Sequence, residues 1–294
     1  MAVFLSLGYD VERPYGAIAR TSEGKEIQRK QVAFMGRLLS LLDCYKIPRT
    51  LFILGDYLQA LLDNGYDKGR FQQEIINPES SLNEIQQHTY SHVLIRFLGK
   101  WVKKKPLDLP QFRLDILRAS AIIESFFGIR PTGIRFPYGY GQDLSDMPLF
   151  ISLLVNLDFI YSSSLSRRTS DGVIISELDK QPYMYRNFKR PLVEMPSHGW
   201  QDDIFTGEKS QKYLGRKLEQ TPAEYYSQLI NDACVRSTAI QQDMYICLCL
   251  HLWAVMQYDP ERKVHKAIIN TANILGIKFV THMQIAEELL NNNL

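Results

Sequence analysis

The feature that most restricts this chain is an alternation of short apolar runs with longer segments whose apolar residues recur at helical spacing. Val3 to Leu7 is the first run, stopping at Gly8 ahead of a polar loop from Asp10 to Gly24. From Gln28 to Tyr45, the residues Val32, Met35, Leu38, Leu39 and Leu42 mark one helical face, and Ile47-Pro48 closes it before the run Thr50 to Gly55. A helical pattern over Asp115 to Phe127 precedes Gly133-Ile134-Arg135-Phe136-Pro137. Another over Pro148 to Leu157 precedes Phe159-Ile160-Tyr161, and one over Pro222 to Gln242 precedes Met244 to Leu250. Short buried strands alternating with helices predict an α/β fold with a parallel sheet, open or closed into a (β/α) barrel.

With 294 residues, 45% of them hydrophobic, the chain can bury one large core or two small ones. No repeat, low-complexity segment or linker divides it, so residues 1–294 are read as a single domain. The polar stretch from Ser166 to Arg190 has no period and reads as a loop excursion over the barrel mouth.

A net charge of +2 is too mild for a nucleic-acid partner, which needs a basic face to displace counterions. The densest basic stretch, Lys100 to Lys105, reads as a solvated loop; the alternative is a weak hook for an anionic surface or polyanionic substrate. Cys44, Cys234, Cys247 and Cys249 form no CxxC pair, and the last two flank Leu248 as small buried hydrophobes. The N-terminus enters an apolar run without a basic n-region, and no run approaches the roughly 20 residues that span a bilayer. A cytoplasmic location, without an integral membrane segment, is the expectation.

In parallel α/β folds the working residues project from the C-terminal ends of strands. Asp10 and Glu12 follow the first run one residue apart, so alternation sends both to one side. There two carboxylates repel unless a proton or a cation lies between them. His88-Thr89-Tyr90-Ser91-His92 places two imidazoles at i and i+4; on a helix they would share a face and reach one ion, with Thr89 and Ser91 able to orient them. Arg135-Phe136-Pro137-Tyr138-Gly139 combines a fixed proline with a permissive glycine, a rigid turn that can aim Arg135 into a pocket. Asp158-Phe159-Ile160-Tyr161-Ser162-Ser163-Ser164 ends in three hydroxyls without a nucleophile elbow and reads as pocket wall and turn. His251 closes a nearly all-apolar strand, a position that suits a general acid.

In this order the five segments resemble the motifs of the polysaccharide deacetylase family, carbohydrate esterase family 4, over essentially the whole chain. The pattern His-[Ser/Thr]-x-x-His stands intact as His88 to His92, and Arg-x-Pro-x-Gly as Arg135 to Gly139. Leu192 to Pro196 and Gly276 to Thr281 look like the late strands of the branch that holds intracellular peptidoglycan-deacetylase-like and cyclic-imidase-like members. The resemblance implies a distorted barrel of parallel strands and a metal-dependent hydrolase removing an N-acetyl or N-formyl group from an amino sugar or saccharide. His88 and His92 would hold a divalent metal together with one carboxylate, zinc first, with cobalt, nickel or iron as alternatives. A second carboxylate would be the base, His251 would protonate the leaving amine, and Arg135 would orient the base. The first motif departs from the usual adjacent aspartates. Asp10 is assigned as base and Glu12 as ligand, with the exchange of roles left open. Pro137, Tyr138 and Trp200 are expected to line the substrate site, Trp200 as an aromatic wall with Asp202 and Asp203 beside it. The alternatives are an amidohydrolase opening a small cyclic amide, for which the altered first motif speaks, and a silent carbohydrate-binding barrel.

Overall fold

The computed structural model describes residues 1–13, 21–98, 104–165, 177–200, 204–205 and 220–292, with Trp200 described by its backbone alone. The strands are β1 (Val3–Val11), β2 (Arg49–Ile53), β3 (Asn83–Gln87), β4 (Gly133–Tyr140), β5 (Tyr161–Leu165), β6 (Tyr183–Tyr185), β7 (Leu192–Glu194), β8 (His198–Trp200), β9 (Met244–His251) and β10 (Lys278–Phe279). The helices are α1 (Ser22–Cys44), α2 (Gly55–Asp63), α3 (Lys68–Glu74), α4 (Leu109–Phe127), α5 (Pro148–Asn156), α6 (Pro222–Ile240), α7 (Leu252–Tyr258), α8 (Lys263–Ile274) and α9 (His282–Asn291). The strands form one sheet in the order β6-β7-β5-β4-β3-β2-β1-β9-β8, with β10 also against β1, and every pairing is parallel except β6 with β7. This is the α/β architecture with a mostly parallel sheet that the alternating pattern predicts.

Helix boundaries follow local chemistry. Asp108 caps α4 in a reciprocal capping box with Gln111, and Gly128 in the left-handed region ends that helix. Thr221 with Glu224 and Thr281 with Gln284 build the same box on α6 and α9. The apolar faces of α1, α6 and α8 pack with β1, β2 and β9 into the largest core cluster. A second cluster joins α4 and α5 to β4, including Phe112, Ile116, Phe136 and Leu154.

One expectation is corrected. The first strand does not stop at Gly8. It runs on to Val11, buried throughout, because a glycine there leaves room for Arg135: a Cβ would lie 2.5 Å from Arg135 Nη2 and 2.9 Å from the Leu248 carbonyl oxygen. Of the segment read as a loop excursion, residues 166–176 lie outside the described residues, and the rest carries a 3-10 turn at Glu177–Asp179 and then β6. Gln181 in this segment docks on β9: its side-chain oxygen accepts from Tyr245 N at 2.8 Å and its amide donates to Tyr245 O at 3.3 Å, an imitation of strand pairing. His198 supports the same edge, accepting from Cys247 N on Nδ1 at 3.0 Å, which leaves Nε2–H to donate to Lys180 O at 2.9 Å. Most of the basic stretch, Lys100 to Lys103, lies outside the described residues; Lys104 is an exposed loop residue, as expected, and its Nζ donates to the carbonyl of His92 at 2.9 Å.

Candidate active site

Strand register brings the chemistry together. Asp10 at the end of β1 is level with His251 at the end of β9 and with Phe52 on β2. Ile53 pairs with Gln87, and Gln87 with Ile134, so His88 leaves β3 beside Arg135 on β4. Residues scattered over 242 positions of chain thus meet at one rim, because parallel strands all carry their C-terminal ends to the same side.

His88, His92 and Glu12 converge. Glu12 Oε2 lies 2.8 Å from His92 Nε2 and 3.6 Å from His88 Nε2. His88 Nδ1–H donates to the Arg135 carbonyl at 2.9 Å, so Nε2 turns inward, buried and without a hydrogen-bond partner. A buried nitrogen lone pair left unsatisfied beside a carboxylate is costly unless a ligand takes it, and the three atoms lie within 4.8 Å of one another. Trp253 Nε1 donates to the other oxygen, Glu12 Oε1, at 3.3 Å, which fixes the carboxylate plane. Burial alone would raise the Glu12 carboxyl; the neighbouring imidazoles, His92 foremost, outweigh it and hold the group well below the usual carboxylate range. Burial lowers His92, more than Glu12 raises it. An ionised carboxylate with a neutral imidazole is the state a divalent cation requires of its ligands.

The histidine pair does not lie on a helix, contrary to the spacing argument. Residues 88–92 form a loop in which Thr89 and His92 both have positive φ, 65° and 55°. The loop takes its backbone bonds elsewhere: Gly55 N and Asp56 N of α2 donate to the carbonyls of Thr89 and Tyr90, at 3.0 and 2.9 Å. Asp115 of α4 receives Tyr90 N at 2.8 Å and the Ser91 hydroxyl. Thr89 and Ser91 therefore do not orient the imidazoles. The two rings still sit 5.2 Å apart.

Asp10 belongs to a separate network. Arg135, 2% exposed, donates to Asp10 Oδ1 at 2.9 Å and to the Gly8 carbonyl at 3.2 Å. Its remaining donors meet Ser163 Oγ at 3.3 Å, Leu248 O at 3.4 Å and His282 Nε2 at 3.0 Å. Its guanidinium also lies over the Phe52 ring, 4.1 Å from the centroid. Burial pushes the Asp10 carboxyl up, but Arg135, then His88 and His251, outweigh it, so the group stays ionised. With Oδ1 held by Arg135, Oδ2 faces the site, 3.5 Å from His251 Nε2, 3.8 Å from His88 Nε2 and 3.6 Å from Cys249 Sγ. His251 Nε2 is also 3.5 Å from Glu12 Oε1.

Tyr138, at φ 70°, packs its ring edge-on against His92 at 4.6 Å, while Pro137 is buried in β4. The Trp200 side chain and Asp202 and Asp203 lie outside the described residues. The three-serine segment is strand rather than turn. Ser162 and Ser164 bind the buried Glu194 through their hydroxyls at 2.6 and 2.9 Å, joined by the backbone N–H of Ser164 and Leu165; Ser163 alone faces Arg135. Asp158, from the same motif, sits in an exposed turn paired with Arg190. Cys249 is half-buried beside Asp10 rather than a core residue, unlike Cys247; alternation from His251 would have found it. Trp253 and His282 carried no motif, and only the folded chain brings them here.

A rim of two carboxylates, three imidazoles and an arginine stands at the C-terminal ends of a parallel sheet, where such folds place their working residues. The comparisons narrow this: residues 26–147, which hold the His88–His92 and Arg135–Gly139 motifs, match the family model described as polysaccharide deacetylase. Two solved structures named as polysaccharide deacetylases are similar over nearly the whole chain. One, from Mycobacterium smegmatis, has a TM-score of 0.64 at 20% identity and covers 100% of this chain and 92% of its own. The other, from Pseudomonas aeruginosa PAO1, has 0.63 at 15%, covering 97% and 90%. The structure named Puue allantoinase is similar at 0.59 and 15%, over 97% of this chain and 89% of that one. At these identities the likeness shows the fold, and the fold is that of the polysaccharide deacetylases. A comparison with curated proteins finds no match. Among the described residues, no helix is long and apolar enough to cross a membrane.

Proposed function

We propose that this protein is a metal-dependent carbohydrate deacetylase that hydrolyses the N-acetyl group of an amino sugar. The observation that carries the reading is the pairing of two clusters at one rim: Glu12, His88 and His92 with an unpartnered buried Nε2, beside Asp10 clamped by Arg135. The donor set of one oxygen and two nitrogens suits zinc, with cobalt, nickel or iron as substitutes. When bound, such a cation supplies Lewis acidity that activates water and polarises the acetyl carbonyl. Glu12 is the ligand in this reading, since it and not Asp10 lies within hydrogen-bond distance of His92.

Asp10 is the base. Arg135 holds Oδ1, so Oδ2 is presented to the attacking water and takes its proton. His251, 18% exposed and level with Asp10 on the neighbouring strand, presents Nε2 to the departing nitrogen and gives a proton to it. Tyr138 beside His92 supplies an aromatic edge on which a sugar ring can rest. N-formyl substrates differ by one methyl and fit the same chemistry. Nothing in the site favours loss of the metal, as the cyclic-amide alternative would allow, because all three ligand positions are filled.

The test is metal content of the wild type against His88→Ala/His92→Ala, followed by acetate release from a panel of N-acetyl sugars with added Zn²⁺ or Co²⁺. One equivalent of metal lost in the double variant, with acetate release abolished in Asp10→Asn, is the expected result. Chelator-resistant turnover of hydantoin-like rings with no acetate from any sugar would replace this reading with the cyclic-amide one.

A further inference from the structure

The rim holds a second set of metal-ligating atoms that the proposed reaction does not use as ligands. Cys249 and His251 alternate on β9, so both project to the same side, and their register partners on β1 are Gly8 and Asp10. Cys249 Sγ is 3.6 Å and His251 Nε2 3.5 Å from the same oxygen, Asp10 Oδ2, and the three ligand atoms lie within 4.8 Å of one another. A tetrahedral ion with bonds of about 2.3 Å to sulfur and about 2.0 Å to nitrogen and oxygen places its ligand atoms roughly 3.3–3.6 Å apart. The two separations from Asp10 Oδ2 already match that spacing, and the third, Cys249 Sγ to His251 Nε2, is under 4.8 Å. It is also reachable, since Cys249 and His251 are both only partly buried. Cys247, two residues earlier, is fully buried among Phe4, Phe52 and Tyr161 and takes no part.

We propose that Asp10, Cys249 and His251 form a second cation site, selective for a thiophilic divalent ion such as zinc or cadmium, and that filling it shuts the active site. The sulfur distinguishes it from the oxygen and nitrogen set of Glu12, His88 and His92, and a thiolate prefers zinc and cadmium to magnesium or calcium. Binding converts the Cys249 thiol to thiolate and releases one proton to solvent, with no change of oxidation state. The ion occupies Asp10 Oδ2 and His251 Nε2, the two atoms assigned above to proton transfer. The shut-off rests on that assignment; the site itself does not. Glu12 lies between the two sets, with Oε2 toward His88 and His92 and Oε1 toward His251, so two ions would be neighbours sharing its carboxylate.

The experiment is a Cd²⁺ titration of the metal-stripped full chain, following the ultraviolet thiolate-to-cadmium charge-transfer band together with bound cadmium per chain. The wild type is expected to bind two equivalents and to develop the band. Cys249→Ser should keep one equivalent and lose the band, and His88→Ala/His92→Ala should keep the band, with circular dichroism verifying the fold of each. In acetate-release assays, inhibition by excess Zn²⁺ should need at least about tenfold more metal in Cys249→Ser. A wild type without the band, or a band that survives Cys249→Ser because the exposed Cys44 binds the ion, overturns the site. If no sugar is deacetylated while the band behaves as expected, the site stands and only the shut-off falls.

Discussion

Replacing His282 by Phe removes the hydrogen bonds of both ring nitrogens from the network behind the site while keeping a planar ring. Arg135 is a donor only, so His282 Nε2, 3.0 Å from Arg135 Nη2, must accept; Nδ1 then carries the proton and donates to Ser6 Oγ at 2.7 Å, with Thr50 Oγ1 also within reach at 3.2 Å. The substitution leaves Nη2 with only the Leu248 carbonyl at 3.4 Å. A lost bond to a charged group costs about 1.5–3 kcal/mol and the orphaned Ser6 hydroxyl about 1 more, so the variant should be about 2–4 kcal/mol less stable at neutral pH. The deficit should depend on pH in a definite sense. Burial, then Arg135 and His198, push the His282 imidazole well below its ordinary 6.5, so the native state stays unprotonated where the unfolded chain takes a proton. For a depressed imidazole, stability is present above the unfolded value and lost on acidification, by about 1.4 kcal/mol per pH unit. His282→Phe lacks that loss, so its deficit should shrink by about 2 kcal/mol between pH 6.5 and 5. Urea unfolding of both proteins across this range is the assay. A deficit under about 1 kcal/mol at pH 7, or one that stays constant down to pH 5, would refute the tautomer and the network built on it.

Other substitutions probe neighbouring contacts. Gly8→Ala should destabilise by about 3 kcal/mol or more and displace Arg135 from Asp10, since the new Cβ would lie 2.5 Å from Nη2 and 2.9 Å from a carbonyl; thermal unfolding near wild type would contradict this. Trp253→Phe removes the donor to Glu12 Oε1, and chelator competition should show metal affinity lower by about tenfold. Glu194→Gln should stay within about 1 kcal/mol of wild type, because an amide oxygen can still accept from Ser164 and Leu165, whereas Glu194→Leu strands those donors and should cost about 3. Burial raises the Glu194 carboxyl above its usual 4.5, outweighing the bonds from Ser162, Leu165 and Ser164, so its contribution is complete below that value and fades as pH rises through the folded one. Glu194→Gln should therefore gain on wild type with rising pH, measured by denaturant midpoints.

The two histidines show how a correct pairing can rest on the wrong geometry. Spacing of i and i+4 suggested one helical face, yet positive φ at Thr89 and His92 and the grip of Asp115 make the segment a loop. Its partners lie on α2 and α4, which local spacing does not reveal. The serine segment misled for a related reason: its hydroxyls serve a carboxyl thirty residues away on β7, in a strand too short to be recognised by its own alternation.

What the sequence by itself determined is the alternation of strands and helices, and with it the rim where Asp10, Glu12, His88, Arg135 and His251 had to emerge. Periodicity and strand ends are local properties, readable residue by residue. Tertiary packing gives Asp10 and Glu12 different partners, and the separate roles proposed for them rest on that difference. Asp10 lies near the end of β1 and Glu12 just after it, both buried, but the sheet order sets Arg135 against one and the loop after β3 sets His92 against the other. The same holds for Cys249, Trp253 and His282. Their positions depend on the register of β9 with β1 and on α9 returning to the bottom of the sheet, long-range packing that no spacing along the chain encodes.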